Sequence, residues 1–258
     1  QFSGQHWAGF SPVDDNATTD TAEARRTTAL GWAGGGTIFT ETAATAKLIV
    51  FDFKKGRNRL YCLMGDANDH ILRYSTDGIT WTAPATTPPP LNLFTSASSK
   101  MTVNGGLISS DNVADVLALY DEVGGEIEIW QSTNNGDTWT NVVNVPSGAG
   151  PKGLVLYLDT DDTVNFYLAT REGIWLIDRA AATAEFIFAM PGGTDNGLRM
   201  VAHNGSLYVP LDNGDAPFGM KRITVARGIR LIEDVGLDIE EEIPSDLVGP
   251  IRSCVSAG

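Results

Sequence analysis

Acid–base chemistry on a glycosidic bond needs two carboxylates facing each other across about 5 to 9.5 Å, and this chain has 32 Asp and Glu residues to draw on. Asp52, Asp121 and Asp159 stand at the ends of apolar runs, where such a pair would sit. In so acidic a chain carboxylates also cap turns and solvate the surface, and no catalytic residue is assigned. Three oxygen-rich turns, Asp66-Ala67-Asn68-Asp69, Asp159-Thr160-Asp161-Asp162 and Asp212-Asn213-Gly214-Asp215, have donors that suit Ca²⁺. None carries the spacing of an EF-hand loop, and Asx side chains stabilise turns without metal, so no metal site or cofactor is assigned. The histidines His6, His70 and His203 are scattered along the chain and give neither a metal cluster nor a nucleophile–base order. Gly34-Gly35-Gly36 has no Lys or helix after it, fails as a phosphate loop and reads as a flexible turn. Cys62 and Cys254 are too few for a disulfide framework; two buried thiols and one bridge joining the ends of the domain are both compatible with their spacing.

The elements that must position these residues are strands. From Lys47 onward, apolar runs of about five to eight residues alternate with Gly, Asn and Asp turns, the pattern of strands and hairpins. The runs come in fours. One set is Leu48 to Phe53, Arg59 to Met64, His70 to Ser75 and Thr80 to Ala85; the next is Gly106 to Ser110, Val116 to Asp121, Glu126 to Ser132 and Thr138 to Val145. Then come Gly153 to Asp159, Val164 to Thr170, Gly173 to Asp178 and Ala184 to Met190, followed by Leu198 to His203, Ser206 to Leu211, Gly219 to Val225 and Gly228 to Asp234. A period of roughly 40 to 55 residues with four strands per unit predicts an all-β propeller of four-stranded antiparallel blades.

The modules fall at about 47–87, 93–145, 152–190 and 196–236 within a propeller over 31–258. Residues 248–258 and 28–43 have the pattern of the inner and outer strands of one composite blade. The ring then closes with five blades, or the chain forms part of a larger propeller. Residues 1–30, polar and rich in Thr, Asp and Ala, read as an extended arm ordered only against another surface, with one short helix-like stretch at Thr21 to Thr28. Pro84 to Pro90 reads as a stiff connection, and Glu240-Glu241-Glu242 as a solvated loop. The chain opens at Gln1 with no Met and no leader pattern, the expectation for a processed protein or a fragment.

A net charge of −14 argues against a nucleic-acid partner, whose binding draws on clustered Lys and Arg. No apolar run reaches the roughly 18 residues of a membrane-spanning helix, so membrane insertion is not expected.

The most specific motif is Ser132-Thr133-Asn134-Asn135-Gly136-Asp137-Thr138-Trp139, with a copy shorter by one residue at Ser75-Thr76-Asp77-Gly78-Ile79-Thr80-Trp81. Both resemble the Asp-box, or BNR repeat, of sialidase-like and sortilin-like propellers, with Asn134 where that family has Asp. The residues have physical roles in a hairpin: the Asx side chain caps backbone amides, Gly takes positive φ and Trp packs beneath. Ser75, Asp77, Gly78, Trp81, Ser132, Asn134, Gly136 and Trp139 are therefore expected to be structural. The resemblance implies a propeller but not sialidase activity, because the Arg-Ile-Pro segment is missing and only Glu242-Ile243-Pro244 comes near it. It implies a non-enzymatic structural or interaction protein, extracellular or in a virion or phage tail, that contacts other protein subunits or surface glycans. The alternative is a carbohydrate-active enzyme of the sialidase-like Asp-box type.

Overall fold

The computed structural model describes residues 7–10, 20–28, 31–41, 49–65, 70–85, 100–104, 115–123, 125–146, 151–158, 164–189, 200–211, 219–226 and 229–235. All the regular structure in these residues is β. Strands β1 (Trp7–Phe10), β2 (Asp20–Thr28) and β3 (Gly31–Glu41) form one sheet, and β4 (Ile49–Lys55), β5 (Leu60–Gly65) and β6 (His70–Ser75) a second. A third contains β7 (Lys100–Asn104), β8 (Val116–Val123), β9 (Glu126–Ser132) and β10 (Thr140–Pro146). The fourth contains β11 (Pro151–Leu158), β12 (Val164–Thr170), β13 (Gly173–Asp178) and β14 (Thr183–Ala189). The fifth contains β15 (Val201–His203), β16 (Ser206–Leu211), β17 (Gly219–Ala226) and β18 (Ile229–Val235). In every sheet, strands consecutive in sequence are neighbours, the order an antiparallel meander gives.

The chain divides into two compact units, residues 1–124 with 128–141 and residues 125–127 with 142–258. In the first unit, β5 carries apolar side chains on both faces because both are covered. Cys62 and Met64 point into a cluster with Ala22, Ala24 and Ile38 of the first sheet, joined by Phe39, Phe53, Ile71 and Trp81. Tyr61 and Leu63, one residue out of phase, point into a second cluster with Leu72, Leu117, Tyr74 and Trp139. Cys62 is a fully buried thiol in this core; Cys254 lies outside the described residues.

The second unit repeats the device. Tyr167 and Ala169 of β12 and Ile174 and Leu176 of β13 pack on Leu207, Val209 and Ile223 of the fifth sheet. Phe166 and Leu168, which alternate with them on β12, are also fully buried. Burial then falls across the fourth sheet. Strand β13 is mostly buried, whereas β14 is half-buried to exposed throughout, and β18 is likewise exposed along most of its length in the fifth sheet.

Three expectations are corrected. The segment 1–30 is not an arm over its described residues: Trp7–Phe10 pairs with β2, and β2 pairs along its whole length with β3. Nor is Thr21 to Thr28 helical, since Ala22 and Ala24 alternate inward with Glu23 and Arg25 outward, a strand whose inner residues are too small to register as an apolar run. Gly34-Gly35-Gly36 is part of β3, where the register shifts between Ala24 and Arg25. Gly36 adopts φ 110°, and a Cβ there would run into the Ile79 carbonyl. The fourth run of the first set, Thr80 to Ala85, contributes only a bridge between Tyr74 and Thr82. The runs Gly106 to Ser110 and 248–258 lie outside the described residues.

Truncating Leu207 to Ala removes a fully buried side chain between the fourth and fifth sheets. We expect a loss of about 2–5 kcal/mol in unfolding free energy, measured by urea denaturation.

Candidate functional site

Two turns repeat one hydrogen-bonding pattern. Ser75 closes β6 with its side chain inside, and its Oγ accepts from Gly78 N at 2.7 Å and Asp77 N at 3.3 Å while donating to Asp77 Oδ1 at 2.9 Å. Asp77 Oδ1 in turn accepts from Ile79 N at 2.8 Å and Thr80 N at 2.7 Å. At the other turn, Ser132 Oγ accepts from Gly136 N at 2.9 Å and Asn134 N at 3.4 Å and donates to Asn134 Oδ1 at 2.9 Å. Asn134 Oδ1 accepts from Thr138 N at 2.9 Å. The Asn-for-Asp exchange keeps this carbonyl acceptor, and the added NH₂ donates to Thr138 Oγ1 at 3.0 Å. Gly78 and Gly136 take the positive φ that the turns require, 78° and 89°.

The one-residue difference in length shows at the tryptophans. Trp139 Nε1 donates to Gly136 O at 3.0 Å, whereas Trp81 Nε1 is buried with no hydrogen-bond partner among the described residues. The ring of Trp81 still packs on Phe53, centroids 5.6 Å apart, within the cluster between the first two sheets. Seven of the eight residues singled out in the sequence thus hydrogen-bond within their own turns, and Trp81 contributes through its packing on Phe53.

A third feature escaped the sequence reading. Asp115, 2% exposed, accepts from Arg57 N at 2.7 Å through Oδ1 and from the Tyr61 hydroxyl at 2.9 Å through Oδ2. Its own backbone N–H donates to Asn135 Oδ1 at 2.7 Å, and its carbonyl accepts from Asn135 N at 3.1 Å. One aspartate therefore ties the β4–β5 hairpin to the turn after β9. Burial first, then the Asp115 charge and hydrogen bond, push the Tyr61 phenol well above its ordinary range, so it stays a donor. A Cβ on Gly56 would collide with the Asp115 carboxylate and the Tyr61 ring. A further tie runs from Ala85 N to Asp137 Oδ1 at 3.2 Å. Asp115 was invisible locally because its partners lie 54 and 58 residues away; a lone acid heading the apolar run Val116 to Tyr120 was the only available sign.

Among the described residues no group of three His, Cys, Asp or Glu side chains is placed to hold a metal ion, and no helix is long and apolar enough to cross a membrane. Asp52 falls on β4 and Asp121 on β8, while Asp159 and the three oxygen-rich turns lie outside the described residues. His70 begins β6, His203 ends β15, and His6 lies outside.

No protein-family model matches the chain, and the curated proteins give no match. Among solved structures it is similar to a prolyl endopeptidase with a TM-score of 0.50 and 9% identity, over 90% of this chain and 33% of that one. It is also similar to the exo-inulinase of Aspergillus awamori, TM-score 0.44 and 13% identity, over 91% of this chain and 63% of that one. An exo-β-1,3-galactanase of Clostridium thermocellum gives a TM-score of 0.39 at 12% identity, over 72% and 48%. The chain spans less than two thirds of each of these proteins. At such identities the likeness concerns the fold.

Ser132→Ala orphans Gly136 N and leaves Asn134 Oδ1 with the Thr138 amide alone, and about 1–3 kcal/mol of stability should be lost in urea titrations. The Thr80 and Ile79 amides and the Ser75 hydroxyl hold the Asp77 carboxyl at about 2, down from 3.8. A lowered folded-state pKa means that the stabilisation is present above 3.8 and is lost as pH falls through about 2. Asp77→Asn should therefore flatten this part of the acid limb, seen as a smaller fall in urea midpoint across that pH window than in the parent chain.

Proposed function

We propose that the five sheets are blades of a β-propeller fastened by Asp-box turns, and that the chain acts on or binds carbohydrate. The observation that carries the proposal is the repeated turn chemistry of Ser75–Asp77–Gly78 and Ser132–Asn134–Gly136, each turn with a Trp set into the packing between neighbouring sheets. Support also comes from β5, β8 and β12, buried on both faces, and from the open last strands β14 and β18, as radial packing of blades requires. The sialidase-like resemblance of the turns supports a sugar ligand. The inulin and galactan named for two similar structures belong to those proteins, and they guide only the choice of ligands to try.

Most glycosidases hydrolyse with two facing carboxylates, and Asp77 and Asp115 are both used by the fold. A catalytic pair therefore has to come from other acids. A second reading is favoured by this same use of fixed polar groups: a non-enzymatic scaffold contacting protein subunits, with which an extracellular or virion location goes.

The test is incubation of the chain with fructan, β-1,3-galactan and sialylated glycans, read by reducing-sugar release and by glycan-array retention. Retention or cleavage of at least one glycan is expected. If every glycan is neither bound nor cut, the carbohydrate reading fails and the scaffold reading stands.

A further inference from the structure

Asn135-Gly136 is a sequence in which the main-chain amide after Asn is unhindered by a side chain, the arrangement from which asparagine deamidates most readily. We propose that Asn135 is a latent deamidation site that the turn itself holds shut, and that its conversion to isoaspartate releases the Asp115 clasp irreversibly. This goes beyond the carbohydrate reading and does not depend on it.

The reaction has a definite geometry. Gly136 N gives its proton to hydroxide and attacks Asn135 Cγ; the N–Cγ bond forms, the Cγ–Nδ2 bond breaks and ammonia leaves. Water then opens the succinimide at one carbonyl to give aspartate, or at the other to give isoaspartate. Every reacting group is engaged in the fold. The Gly136 N–H points at Ser132 Oγ at 2.9 Å, away from solvent base. The Asn135 carboxamide is fixed by Asp115 N at 2.7 Å, and its backbone N–H by Asp115 O at 3.1 Å. Gly136 is buried, and a Cβ there would press on Leu72 Cδ2 at 3.1 Å, leaving little room for the attack to develop. The isoaspartyl product adds a methylene to the main chain. The two Asn135–Asp115 bonds cannot then both re-form, and the segment that carries the Tyr61 and Arg57 contacts loses its link to the turn.

The experiment follows Asn135 by peptide mapping and isoaspartyl methyltransferase labelling of the full chain at mildly alkaline pH. Only the opened population reacts, so the folded chain should convert at least about tenfold more slowly than the same chain in urea. Ser132→Ala should raise the folded rate several-fold, because it frees the Gly136 amide. Leu207→Ala, which lowers stability far from the turn in sequence, should leave the rate near that of the parent chain. Equal rates in the folded and urea-unfolded chain overturn the proposal. So does an acceleration by Leu207→Ala matching that by Ser132→Ala, which would make global unfolding rather than the turn the gate.

Discussion

A carboxylate in the protein interior is tolerated only when it is paired or fully hydrogen-bonded, and Asp115 satisfies this with groups from two distant parts of the sequence. Its oxygens take the Arg57 amide and the Tyr61 hydroxyl, and its main chain closes a reciprocal pair with Asn135. Removing one partner leaves a buried charge short of a donor, a loss costly enough to keep the three segments together. The hairpin before β5, the start of β8 and the turn after β9 are thus held at one point. Tyr61 joins this point to the core, since its ring lies in the cluster with Leu63, Leu72 and Leu117 while its hydroxyl meets the carboxylate.

The strands around this point follow from coverage. A strand with one covered face alternates apolar and polar residues, whereas Leu60–Met64 of β5, Val116–Tyr120 of β8 and Phe166–Ala169 of β12 run apolar because both faces are buried there. Residues at odd and even positions of β5 serve different clusters, so the strand is common to two cores. Last strands do the opposite. On β18 Arg222 of the neighbouring strand pairs with Glu233 at 2.7 Å, an exposed cross-strand pair on a surface left to solvent.

The strand runs after Lys47 were legible because unbroken apolar stretches and Gly, Asn and Asp turns are strong local signals; β12, β13 and β16 begin and end where the runs do. The Ser-Asx-Gly-Trp turns were legible for the same reason, their hydrogen bonds closing within four residues. Strand β2 was not, because Ala22 and Ala24 bury little area each and the pattern Asp-Thr-Ala-Glu-Ala reads as polar. Glycines in β3 suggested a flexible turn, yet Gly36 is there because the Ile79 carbonyl approaches it from a segment over forty residues later. Asp115 shares that limit: long-range closure leaves no periodic trace.

The central claim is that the Asp115 clasp is a single cooperative unit. Native-state hydrogen exchange at the Arg57, Asp115 and Asn135 amides tests it most directly, because each of these N–H groups donates to the clasp. The account predicts that all three exchange only through a shared opening, with equal protection that falls together in Tyr61→Phe. Unequal protection, with Arg57 exchanging at the rate of an open loop while Asp115 and Asn135 stay protected and unchanged in Tyr61→Phe, would contradict it.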